Sequence, residues 1–231
     1  MQRIVASQTL FPHPTSVFIC GTSRSLLNWV AYALAAESDP QFVWTDVRLK
    51  GEVVAAEDLL SHDLIPSDRL RLVSPAELTP DDATANVAVS AVIRDDDIPE
   101  EVQRTVEFLR LPAKTQELLA NARSEGPPPV VVLSNGHRLV AIYHDLTVVQ
   151  PTVRAIVQSG VVLIMTFADA PPGGRVAFDV ILHIEGSDPT AWRLAKLRVE
   201  QAPAGSMFTS GTESLLADIG PIASVLRHEF P

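Results

Sequence analysis

The chain has 231 residues, 46% of them hydrophobic, with a formal net charge of -10 and one cysteine. That length and apolar content suit one α/β domain with a small extension and are cramped for two. The negative charge argues against nucleic acid, whose phosphates need lysine and arginine in excess, and the lone Cys20 excludes both an intramolecular disulfide and a cysteine-rich zinc site.

Taken in order, Met1 to Ser7 shows no signal-peptide pattern and soon meets Pro12 and Pro14. The longest apolar runs are strand-length and fall short of the ~20 residues of a membrane span, so the expectation is a soluble, cytoplasmic protein without membrane contact. Gln2 to Leu10 reads as a lead-in strand or cap. Val17 to Cys20 is a continuous apolar run, as in a strand covered on both faces. After Gly21-Thr22-Ser23-Arg24-Ser25 a helix starts at once, with Leu26, Leu27, Val30, Ala31 and Leu34 on one face, and Pro40 forbids its continuation.

Phe42 to Leu49 reads as a second strand, Val53 to Leu64 as a helix, and Leu70 to Val73 as a short strand stopped at Ser74-Pro75. Val87 to Ile93 is β-branched, and Arg94-Asp95-Asp96-Asp97 leads into a helical pattern from Pro99 to Leu119 with a break near Pro112. Pro127-Pro128-Pro129 is a stiff connector or a rigid loop before the strand Val130 to Leu133. Helical spacing runs from Tyr143 to Gln158 and ends at Gly160; Val161 to Phe167 is the next buried strand, and Ala170 to Arg175 a turn. Phe178 to Ile184 and Trp192 to Val199 read as late paired strands, and Leu215 to Phe230 as one or two short helices broken at Gly220-Pro221. Strands separated by helices early and paired strands late predict a mostly parallel central sheet, helices on both faces, and a late antiparallel hairpin.

A strand, a glycine turn and a helix is where P-loop proteins hold phosphate, because free N–H groups and the positive helix end converge on an anion. A working loop reads G-x-x-x-x-G-K-[ST]. Here Gly21 stands alone, Ser23-Arg24-Ser25 replaces Gly-Lys-Ser, and the loop is about three residues shorter. The competing account is a plain strand-to-helix turn with Ser23 as N-cap.

The layout resembles the RecA superfamily, and within it the KaiC-like group, over about residues 15–210, with 211–231 as a helical extension. Three stretches carry the resemblance: Gly21 to Ser25; Val130-Val131-Val132-Leu133-Ser134-Asn135, similar to a Walker B strand; and Phe178 to Gly186 followed by Trp192 to Arg198, similar to the family's late hairpin. The resemblance implies a RecA-like P-loop fold with degenerate Walker motifs. It puts Ser134 where a magnesium-organising aspartate belongs and Asp46 nearest the catalytic carboxylate. It makes Lys196 and Arg198 the Lys-x-Arg pair that reaches phosphates bound by a neighbouring subunit. Asp46 as a strand-end cap and Lys196 with Arg198 as a solvated strand face are the plainer alternatives.

Phosphoryl transfer depends on lysine and Mg²⁺ placed around the phosphate. Arg24 does not replace lysine freely, and a serine cannot organise magnesium as a carboxylate does. The expectation is a noncatalytic pseudo-ATPase without ATP or magnesium, acting in regulation or signalling through a protein partner or its own copies. The alternatives are a nucleotide-binding ATPase or switch built on Arg24, Ser25 and Asp46, and a recombination accessory touching DNA through Lys196, Arg198 and the Gly173-Gly174 loop. His137 and His144 lack the spacing of a helical zinc site, no G-x-S-x-G elbow supports a serine hydrolase, and Cys20 reads as a small buried hydrophobe.

Overall fold

The computed structural model describes residues 10–38, 42–49, 71–73, 87–93, 127–134, 136, 153–154, 157–158, 160–168 and 178–229. The helical expectations for 53–64, 99–119 and most of 143–158, the turn at 170–175, and the histidines at 137 and 144 lie outside them.

The protein is an α/β fold, and its described residues form one nine-stranded sheet. Its strands are β1 (Ser16–Gly21), β2 (Val43–Leu49), β3 (Arg71–Val73), β4 (Val87–Ile93), β5 (Val130–Ser134), β6 (Val162–Ala168), β7 (Val180–Glu185), β8 (Lys196–Gln201) and β9 (Glu213–Leu215). They lie in the order β3-β4-β2-β5-β6-β1-β7-β8-β9. Every pairing from β3 to β7 is parallel, and β8 and β9 close that side antiparallel.

β1 sits centrally between β6 and β7, and its six residues are all buried. β5 is buried along its length as well. Such strands need apolar side chains on both faces, hence runs without polar alternation. Val17, Ile19, Val132 and Ile164 face one core. Phe18 lies on the opposite face, stacked on Phe167 with centroids 4.4 Å apart and tilted against Phe178 at 5.0 Å.

α1 (Arg24–Ser38) follows the glycine turn as expected, but its burial is wider than one apolar stripe. Every residue from Leu26 to Ala35 is buried, including Asn28, Trp29 and Tyr32. A helix buried all round must be covered on both sides. The sheet covers one side, and α2 (Gly220–Glu229) covers the other through Ile222, Ala223 and Leu226, all in the same core cluster.

Two expectations near the C-terminus are corrected. Trp192 does not begin a strand; it lies in a 3-10 turn over Pro189–Leu194. Asp188 caps that turn, its carboxylate accepting from the Thr190 N–H at 2.9 Å and hydroxyl at 2.7 Å, and Pro189 is pre-set for a first helical position. These hydrogen bonds hold the Asp188 carboxyl below its ordinary value. At Gly220-Pro221 two short helical segments part as expected, and α2 starts there, again with proline in the first turn. The stretch before it, expected to be helical at Leu215, supplies β9 and a 3-10 turn at Leu216–Asp218.

Candidate functional site

The Gly21 to Ser25 turn emerges at the carboxyl end of β1, where ligands of open α/β sheets gather. Gly21 is buried, Thr22 and Arg24 are exposed, and Ser23 and Ser25 are half-buried. A Cβ on Gly21 would strike the carbonyl oxygen of Ile184 on β7 and stand 3.2 Å from a methyl of Leu27. The glycine therefore lets β7 and α1 close on the turn. Ser23 caps α1: its Oγ accepts from the Leu26 N–H at 3.4 Å, and its carbonyl accepts from the Leu27 N–H at 3.0 Å. The geometry matches the plain strand-to-helix turn, with the helix supplying its own cap.

Next to this turn the sheet register assembles something the linear order conceals. Asp46 of β2 pairs with Ser134 of β5 on one side and with Ser90 of β4 on the other. Leu133 pairs with Met165, so Ser134 and Thr166 follow as the next positions of β5 and β6, and Thr166 pairs with Ile19 of β1. Ser90, Asp46, Ser134 and Thr166 form a row of polar positions crossing adjacent strands, which lie about 4.8 Å apart. The two residues singled out separately, Asp46 and Ser134, are thus neighbours in register.

Ser134 is fully buried, and Thr166 and Asn28 are each 2% exposed. The Thr166 hydroxyl donates to Asn28 Oδ1 at 3.2 Å, tying the first turns of α1 to β6. Sequence reasoning missed Asn28 and Thr166, although both interrupt otherwise apolar runs, which is the signal that could have found them. A buried polar group keeps its place only when hydrogen-bonded. Thr166→Val is expected to cost about 1–3 kcal/mol by leaving the Asn28 carbonyl short of that donor. Thr166→Val combined with Asn28→Leu should cost less than the two changes summed, as checked by a double-mutant cycle in urea.

Lys196 and Arg198 do lie on one exposed face of β8. They are engaged within their own hairpin. Lys196 Nζ donates to Glu213 Oε1 at 2.9 Å; Arg198 lies 3.8 Å from Glu185 and 3.3 Å from Glu200, with its Nη2 3.4 Å from His183 Nδ1. The Lys196 hydrogen bond, and then its charge, hold the Glu213 carboxyl below its ordinary 4.5, while Glu213 in turn raises Lys196. Both groups are about half exposed, so solvent screens the pair.

Lys196→Ala should return the Glu213 carboxyl toward its ordinary value, read by NMR titration. The sign is fixed by linkage. Glu213's contribution is present above its unfolded value and is lost as pH falls through the lower folded one; Lys196's is present below its unfolded value and is lost as pH rises through the higher folded one.

No protein-family model matches the chain, and no curated protein matches it. Among the described residues no group of three His, Cys, Asp or Glu side chains could hold a metal ion, and no helix is long and apolar enough to cross a membrane.

Proposed function

We propose that this chain is a noncatalytic RecA-like, KaiC-like protein that works through protein contacts, as a regulatory or signalling adaptor or as the pseudo-ATPase partner of an active relative. The observation that carries this reading is the closure around Gly21, whose missing Cβ leaves room for Ile184 and Leu27 rather than for a ligand. The strand-turn-helix at the carboxyl end of a central parallel strand supports descent from a phosphate-binding fold. Ser23 capping its own helix, and a buried serine at position 134, support loss of the chemistry. ATP turnover and nucleotide affinity test the reading, with no magnesium-dependent hydrolysis expected. Magnesium-dependent hydrolysis that Arg24→Ala abolishes would overturn it.

One observation favours a second reading, a nucleotide switch with an unconventional site: Asp46 shares a register row with Ser134 near the end of β1 where Arg24 is exposed. Saturable Mg-ATP binding lost in both Arg24→Ala and Asp46→Asn would select it. A DNA-binding accessory draws less support, because Lys196 and Arg198 are already matched by Glu213, Glu185 and Glu200.

A further inference from the structure

At the opposite end of the sheet, where β1 and β7 begin, lies a cleft of about 360 Å³ whose apolar lining residues are Val153, Val157 and Phe178. β1 is six residues long, which puts this cleft about 16 Å from the glycine turn at ~3.3 Å per residue. Its size falls at the small end of the range for small-molecule sites. Arg154 and Asp179 both line it. They carry opposite charges yet do not pair with each other, and Arg154 has neither a hydrogen bond nor an ion pair among the described residues.

Asp179 is held in place. The N–H and the hydroxyl of Ser16, a residue only 3% exposed, both donate to Asp179 Oδ2 at 2.8 Å. The Asp179 N–H returns a bond to Ser16 Oγ at 3.0 Å. Oδ1 is left with no donor among the described residues. Gln201, also on the lining, spends its amide N–H on the Phe178 carbonyl at 2.8 Å, which leaves its own oxygen as an acceptor. The cleft is therefore lined by an oriented carboxylate, an amide oxygen, a guanidinium with no partner among the described residues, and apolar side chains.

We propose that this cleft binds a free α-amino acid with an apolar side chain as its zwitterion. The ammonium goes to Asp179, the carboxylate to the two-pronged guanidinium of Arg154, and the side chain to Phe178 and the two valines. A ligand of zero net charge matches the one-to-one charge of the walls; a simple cation or a simple carboxylate satisfies one wall only. The site uses none of the residues of the Gly21 turn or the polar row, so it stands or falls separately from the function proposed above.

Isothermal titration calorimetry on the full chain tests this with L-leucine, N-acetyl-L-leucine and L-leucinamide as probes. L-leucine should bind at one site per chain. Each blocked analogue should bind about tenfold more weakly or worse, since each loses a charged hydrogen bond. Arg154→Gln and Asp179→Asn should weaken L-leucine to a similar degree; asparagine keeps an oxygen for the Ser16 donors, and circular dichroism checks the fold. Should a variant misfold, the blocked analogues on the unaltered chain still decide. Absence of binding by L-leucine and L-phenylalanine at about 10 mM, far above micromolar affinity, would overturn the proposal. So would binding that is indifferent to acetylation and amidation.

Discussion

Phe18→Ala is expected to lower the unfolding free energy by about 4 kcal/mol, the usual cost of emptying a buried phenylalanine site. Phe18 is fully buried in the middle of β1. Its ring lies against Phe167 at 4.4 Å with 27° between planes, and against Phe178 at 5.0 Å with 51°. Truncation removes the transfer free energy of the ring, leaves a cavity between two rigid neighbours, and ends two aromatic contacts worth roughly 0.5–1.5 kcal/mol each. In a chain of this length a loss of 1 kcal/mol lowers Tm by about 2–4 °C, so the fall should approach 8–16 °C. Urea denaturation checks it: the midpoint should drop with little change in slope. Phe18→Leu should lose less than half as much, because leucine refills most of the space. A loss below about 1 kcal/mol for Phe18→Ala would mean the aromatic layer is not packed as described.

Gly21→Ala is the second large effect, expected to destabilise the protein by about 2–3 kcal/mol through overpacking. The requirement is space rather than backbone conformation: the added methyl meets the Ile184 carbonyl on a neighbouring strand and presses on Leu27. A carbonyl in a paired strand yields less readily than a flexible side chain. The measurement bears directly on function when made without nucleotide. A phosphate-loop glycine should show its loss in ligand affinity, whereas a packing glycine should show it in the stability of the free protein. If Gly21→Ala melts like the unaltered chain and changes only nucleotide binding, the noncatalytic reading fails.

The two substitutions also separate what position along the chain can reveal from what folding adds. Val17 to Cys20, Val130 to Leu133 and Val161 to Phe167 were legible as central strands because a strand buried on both faces must be apolar at every residue. The start and end of α1 were legible because Ser23 suits an N-cap and Pro40 forbids a helix beyond it. β-rich composition puts Trp192 on a strand, whereas the local instruction Asp188-Pro189 starts a turn that contains it. The residues of α1 predict a helix with one apolar stripe because nothing among them announces α2, nearly two hundred positions later.

Composition and local pattern by themselves determined that this is an α/β chain with a mostly parallel sheet, an acidic net charge and a single-glycine turn between its first long strand and helix. Tertiary structure alone decided that Asp46, Ser134 and Thr166 share a row, that Gly21 answers to Ile184, and that Arg154 and Asp179 line one cleft. The reason is that periodicity reports which side of a segment is buried, whereas strand order and register are set by pairings between residues far apart in the chain.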